Sequence, residues 1–164
     1  QGFIALGSFR LSYITFYALI AVAFVWVLWN KTRFGKNIFA IGGNPEAAKV
    51  SGVNVALNLL IIYALSGVFY AFGGLLEAGR IGSATNNLGF MYELDAIAAS
   101  TIGGVSTTGG VGTVPGILVG VLVFELMKVA LQFMNVNSSY TYIVQGLVII
   151  VAVAIDIRKY LAKK

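Results

Sequence analysis

The chain has 164 residues, of which 59% are hydrophobic and only 10% are charged, and its formal net charge is +5. Ordinary soluble domains carry about 25% charged residues and keep much of their surface in water, so this composition excludes a soluble globular fold. The cations are too few and too local for a nucleic-acid groove, and the absence of cysteine and histidine excludes disulfide frameworks, thiol catalysis and most zinc sites.

Residues 11–30 carry no charge and predict the first transmembrane helix. About 20 apolar residues in a helix cross the hydrocarbon core of a bilayer. Aromatic side chains stand near both ends of this segment, where interfacial residues belong. The chain begins with Gln1 rather than Met and shows no signal-peptide pattern there, so we expect it to be an excised part of a longer chain.

Residues 31–54 form a basic loop that contains one short helix signal. Asn44 is a candidate N-cap, Pro45 suits the first helical position, and Glu46 stands in the first turn. Gly52 ends the segment. The helix is too short and too polar to span a membrane, and its middle has small side chains in place of large lipid anchors. This pattern favours docking into a groove on a cytoplasmic protein.

The remainder of the chain predicts three further spans and one short helix. The full spans cover residues 55–76, 114–134 and 140–155. Between them, residues 95–103 predict a helix of about 12 Å, less than half the hydrocarbon core, with Asp95 as its N-cap. We therefore expect this segment to re-enter the membrane as a broken helix before a glycine- and threonine-rich turn.

Charge distribution predicts the topology. Eight of the eleven cations lie in residues 31–54 and 156–164. The positive-inside rule places both segments, and so the C-terminus, in the cytoplasm.

Two motifs allow other interpretations. Glu125 and Lys128 are three residues apart in a span, which suits either a structural ion pair or the proton relay of an ion-coupled secondary transporter. The sequence GGVSTTGGVG (103–112) lacks the lysine of a nucleotide-binding loop, so its glycines indicate close helix packing or a flexible element beside a substrate path. Besides the secondary transporter, a structural membrane scaffold with no pathway is the second alternative function.

Three stretches carry a family resemblance: TRFGKNIFAIGGNPEAAKVSGVNV, LEAGRIGSATNNLGFMYELDAIAASTIGG and GGVGTVPGILVG. Together they resemble the ribose/galactose-type sugar permeases of bacterial ABC importers, in the branched-chain amino acid/ribose permease superfamily. The resemblance covers essentially the whole chain and corresponds to the C-terminal half of such a permease. It implies an all-α, polytopic transmembrane helical bundle with a cytoplasmic coupling helix and a re-entrant broken helix.

The resemblance also implies a function and partners. The expected protein is a multi-pass permease of the bacterial inner membrane that imports a galactose- or methyl-galactoside-like sugar. It would work with a cytoplasmic ATP-binding subunit, a periplasmic sugar-binding protein and a second permease copy in a homodimer. No catalytic residue, metal site, cofactor or nucleic-acid contact is expected of the chain itself.

Two sets of residues follow as candidate sites. The helix that resembles the coupling helix comprises Asn44, Pro45, Glu46, Ala47, Ala48, Lys49 and Gly52. The candidates for the translocation pathway are four aromatic residues that suit sugar stacking and two hydroxyls near the broken helix: Phe69, Tyr70, Phe90, Tyr92, Thr107 and Thr108. Lipid contact or packing is the alternative role for each aromatic residue.

Overall fold

A computed structural model of the chain describes residues 3–6 and 9–161. Strands β1 (Phe3–Leu6) and β2 (Phe9–Ser12) pair as an antiparallel hairpin. Seven helices follow within the described residues: α1 (Tyr13–Lys31), α2 (Arg33–Gly43), α3 (Pro45–Val50), α4 (Val55–Ile81), α5 (Tyr92–Ile102), α6 (Val114–Phe133) and α7 (Ser138–Leu161). The hairpin was not predicted, but from residue 13 onward the helical fold class is confirmed.

Four of the described helices are long and apolar enough to cross a membrane: α1, α4, α6 and residues 140–158 of α7. Large apolar side chains along them are exposed, for example Leu60 at 68% and Leu126 at 67%. Such surfaces suit lipid as the surrounding solvent. The prediction of a polytopic helical membrane protein is therefore confirmed.

The end of α4 lies five residues beyond the predicted boundary at residue 76. Glu77 and Arg80 form an ion pair of 2.6 Å across one helical turn, which the sequence interpretation had placed outside the span. Gly82 then adopts a positive φ and donates its N–H to Ala78 O, closing the helix.

The prediction that residues 31–54 form a loop with a single short helix was wrong, because a second helix, α2, occupies residues 33–43. Its helical signal is the spacing of Phe34, Ile38 and Ile41, which puts three apolar side chains on one face. The turn from α1 into α2 requires a glycine at Gly35, since a Cβ there would overlap the backbone of Trp29.

The chain divides into two compact units, residues 1–41 with 45–89, and residues 42–44 with 90–164. In the first unit, the ring centroids of Phe24 on α1 and Phe69 on α4 lie 6.2 Å apart. Asn54 begins α4 by accepting the Leu57 N–H at 3.0 Å. The helices of the first unit therefore touch one another at few places, mainly through apolar side chains.

The second unit packs α5 against α6 and α7. Ala98 and Ala99 of α5 and Phe124 of α6 form its buried core, and Ile149 of α7 packs against them. Asp95 is not the N-cap that the sequence predicted: α5 begins at Tyr92, and its N-cap residue, Met91, makes no side-chain capping bond. The carboxylate of Asp95 instead faces the neighbouring helices.

Glycines allow the backbones of α5 and α6 to touch. A Cβ on Gly120 would overlap Ala99 O and lie 2.7 Å from Gly103 N, and a Cβ on Gly103 would lie 2.5 Å from Gly116 O. Small residues at helix contacts permit this close approach in membrane proteins, where dispersion replaces the hydrophobic effect between helices. The glycine contact therefore fixes where the short helix lies on its neighbour.

A polar cluster joins the same three helices. Lys128 Nζ on α6 donates to Asp95 Oδ2 on α5 at 2.7 Å and to Glu125 Oε1 at 3.2 Å. Gln145 of α7, which is only 4% exposed, donates its amide Nε2 to Asp95 Oδ1 at 2.9 Å. The predicted Glu125–Lys128 pair is present, but the interhelical partner of Lys128 is Asp95.

We expect Gly120→Ala to destabilise the second unit by about 1–3 kcal/mol, because the added methyl overlaps the α5 backbone. Thermal unfolding of the purified protein in detergent measures the effect. Gly146→Ala on α7 is the matched control, since a Cβ there meets nothing within 4 Å. Equal stability of the two variants would contradict the close contact.

We expect Lys128→Met to destabilise the protein by about 1–3 kcal/mol, because two carboxylates lose their cation. Adding Asp95→Asn should restore part of the loss, since the neutral amide no longer needs that cation. Chemical denaturation of both variants and the double variant gives the coupling. Glu125→Gln, at a 54% exposed side chain, should change stability by less than about 1 kcal/mol. Additive effects of the first two changes would refute the pair.

Candidate functional site

Helix α3 is short but firmly closed at its C-terminal end. Gly52 has a φ of +85° and donates its N–H to Lys49 O, and Val53 donates to Ala48 O, both at 3.0 Å. This pair of bonds is a Schellman motif, which explains why the sequence places a glycine there. The Ser51 hydroxyl adds a bond of 2.8 Å to Ala47 O. The helix is therefore held as one small rigid piece.

The predicted coupling residues of α3 divide into one inward and several outward side chains. Ala48 is 4% exposed, whereas Val50 beside it is 89% exposed. The remaining predicted members are exposed: Asn44, Pro45, Glu46, Ala47, Lys49 and Gly52. An open groove runs along one side of α3 between Glu46, Lys49 and the start of α4. A docking partner would therefore contact the exposed residues, whereas the buried Ala48 packs against the rest of the chain.

A compact loop connects α5 to α6. Gly104 has a φ of +82° and closes α5, as Val105 donates its N–H to Ser100 O at 3.0 Å. Within the loop, Ser106 donates its N–H to Val111 O at 2.9 Å. Thr113 begins α6 by accepting the Gly116 N–H at 3.2 Å. The glycine- and threonine-rich segment is thus internally bonded rather than open coil.

Asp156 of α7 binds this loop through a single carboxylate oxygen. Oδ2 accepts the Ser106 hydroxyl at 2.9 Å, the Thr107 N–H at 2.9 Å and the Thr107 hydroxyl at 3.1 Å. Because the one Ser106 proton goes to Asp156, Thr108 is the donor in the 2.8 Å bond between the Ser106 and Thr108 hydroxyls. Hydrogen bonds to an ionised carboxylate are stronger than neutral ones.

The same loop touches the end of α2 at backbone level. A Cβ on Gly42 would lie 2.6 Å from Gly110 N, and a Cβ on Gly110 would lie 2.7 Å from Gly43 Cα. Gly109 and Gly110 also have positive φ values of +96° and +72°. Any larger residue at this contact would push the two backbones apart. The glycines that the sequence suggested for close packing are used here.

The predicted pathway residues are divided between the two compact units. In the second unit, Phe90 and Tyr92 lie at the start of α5 and are 64% and 50% exposed. Thr107 and Thr108 follow its end, about 16 Å away along an 11-residue helix. In the first unit, Phe69 contacts Phe24, and its neighbour Tyr70 on α4 is 78% exposed. Their role in a pathway stays a prediction.

Two functional candidates were missed by reasoning from the sequence. Gln145 had a signal, namely a lone amide within an apolar span. Asp156 was grouped with the tail cations, although it is the single acid among them. Among the described residues, no group of three or more metal-ligating side chains comes together.

Known proteins resemble this chain over its full length. It is 76% identical over all 164 residues to the galactose/methyl galactoside import permease protein of Escherichia coli (strain K12), and 77% identical to the protein of that name from Salmonella typhimurium. It is 42% identical over 141 residues, 86% of the chain, to the ribose import permease protein of Bacillus subtilis. The chain spans 49% of the first two relatives and 44% of the third.

No solved structure matches the chain. The family match covers residues 1–153 and bears the description branched-chain amino acid transport system / permease component. The relatives are import permeases, so neither the ion-coupled secondary transporter nor the inert scaffold gains support. The family resemblance inferred from the three sequence stretches is confirmed: the chain belongs to the branched-chain amino acid transport system / permease component family.

Proposed function

We propose that this chain is part of the permease subunit of an ATP-driven importer of galactose or a methyl galactoside. The observation that carries the proposal is 76% identity over the whole chain to a galactose/methyl galactoside import permease. The more distant ribose, fructose and xylose permeases support a sugar as the substrate class. As in the sequence prediction, the chain would form the C-terminal half of the transmembrane domain.

The proposed partners follow from an importer of this kind. A cytoplasmic ATP-binding subunit would supply energy, a periplasmic sugar-binding protein would deliver substrate, and a second permease copy would complete the pathway. The chain itself would perform no chemistry. Its task would be to change between inward- and outward-open states, whose balance shifts with the ATP state and with the binding protein.

Helix α3 is the proposed contact with the ATP-binding subunit. Its Schellman end makes it rigid, its outward residues are exposed, and it lies within residues 31–54, which carry four of the eleven cations of the chain. A rigid element transmits a displacement with little loss to internal bending. Ala47 and Val50, which are exposed, would therefore contact the ATP-binding subunit. Ala48, which is buried, would pack within the permease and hold α3 in place.

We expect Ala47→Glu to weaken assembly with the ATP-binding subunit by about tenfold or more, because it buries an unpaired charge in the interface. Co-purification of the subunits and ATP-dependent sugar uptake measure the effect in the full-length permease. Ala84→Glu in the exposed loop after α4 is the matched control and should co-purify normally. Undiminished co-purification of the Ala47→Glu variant would refute the contact at α3.

We propose a topology with the α2–α3 segment and the C-terminus in the cytoplasm of a bacterium and the inner membrane as the location. The basic segments support this orientation. The loop of residues 82–91 would then face outward.

Single cysteines test the topology, because the chain contains none of its own. A membrane-impermeant maleimide should label Ser83→Cys in cells whose outer membrane alone has been opened. It should label Ser51→Cys only after the inner membrane is also permeabilised. Both positions are exposed, so burial does not confuse the result. The opposite labelling pattern would invert the proposed orientation.

A further inference from the structure

We propose that Asp156 is a positioning residue that holds the α5–α6 loop and the C-terminal end of α7 together as one body during transport. This inference rests on the proposed function for its transport readout. The contact itself is observed independently of that function. It gives a role to a carboxylate that neither the family resemblance nor the predicted site residues include.

Several hydrogen bonds from the α5–α6 loop meet at one oxygen atom of Asp156. Asp156 Oδ2 accepts three hydrogen bonds from Ser106 and Thr107, residues 50 and 49 positions away in the chain. One of the three comes from a backbone N–H, so the loop's main chain is fixed as well as its side chains. A carboxylate is the group that can accept so many bonds at once, since its oxygens accept only.

The α5–α6 loop that Asp156 binds is itself stiff. Ser106 is bonded at its N–H to Val111 and at its carbonyl to the Gly109 N–H, at 2.9 and 3.2 Å. The Schellman end of α5 precedes the loop, and the Thr113 cap of α6 follows it. A force applied to one end of such a loop moves the whole loop, because few torsions remain free.

The α5–α6 loop also contacts the end of α2. Gly109 and Gly110 contact Gly42 and Gly43 backbone to backbone, without side chains between them. Pro45, the first residue of α3, follows Gly43 by two positions in the chain. A displacement at this glycine contact therefore reaches α7 through the loop and Asp156. Without the carboxylate, the loop would lose the three hydrogen bonds that Ser106 and Thr107 donate to α7.

The experiment uses the full-length permease with its ATP-binding subunit and sugar-binding protein in proteoliposomes. It measures ATP hydrolysis and sugar uptake in the same sample. Asp156→Ala should reduce the amount of sugar transported per ATP hydrolysed by about tenfold, because hydrolysis would continue while the loop no longer moves with α7. Glu93→Ala, which removes a carboxylate from the exposed start of α5, is the matched control and should keep the normal ratio. Asp156→Asn, which retains one acceptor oxygen, should give an intermediate ratio.

A second variant compares one folded protein in two states. Ser106→Cys with Asp156→Cys should form a disulfide on oxidation, because the native side chains are in contact. Oxidised protein should transport with the normal ratio, and the same protein after reduction should show the low ratio of Asp156→Ala. Glu93→Cys with Ser106→Cys, at opposite ends of α5, should not crosslink.

The outcomes separate the two proposals. Absence of ATP-driven sugar uptake by the unaltered importer would refute the proposed function, while the crosslink yield would still test the contact. A normal ratio in Asp156→Ala, or an oxidised pair that hydrolyses ATP without transport, would overturn the positioning role. The latter result would mean that the loop must separate from α7 during the cycle.

Discussion

The structure depends on the requirement that backbone polar groups in a bilayer find partners within the protein. The long helices satisfy it internally and leave apolar side chains such as Leu60 and Leu126 exposed. Helix α5 is about 16 Å long, against a hydrocarbon core about 30 Å thick, so it is too short to cross a bilayer. Its C-terminal end is closed by a Schellman motif, and glycines let its backbone lie directly against α6. A helix as short as α5 therefore depends on glycines at its C-terminal end and at its contact with α6.

Polar contacts in the second unit lie at both ends of this short helix. At its start, Asp95 joins Lys128 and Gln145, and beyond its end Asp156 joins the loop of Ser106 and Thr107. Between them the α5–α6 contact is apolar: it contains Ala98 and Ala99 of α5 and the buried ring of Phe124 of α6. Directional bonds at two separated points fix a helix more precisely than dispersion contacts alone. The short helix is therefore held near both of its ends by directional bonds as well as by packing.

The span-forming helices were predictable because their uncharged lengths match a bilayer, and α3 was predictable because proline and glycine mark its ends. Helix α2 was not predicted, because its basic residues made the segment resemble a polar loop. The helical spacing of Phe34, Ile38 and Ile41 was the signal that indicated a helix. Asp95 was read as a local cap, but local sequence does not reveal that a cation 33 residues away lies within 2.7 Å. Asp156 was missed for the same reason. Interhelical partners depend on helix rotation and register, which hydropathy does not encode.

We propose that the chain serves ATP-driven sugar import and that its polar contacts serve the transport movement and not ion coupling. The most direct measurement is radiolabelled galactose uptake by proteoliposomes that contain the full-length permease, the ATP-binding subunit and the sugar-binding protein. We expect uptake that requires hydrolysable ATP and persists when ionophores collapse the proton and sodium gradients. Uptake that follows an ion gradient and proceeds without ATP would contradict it.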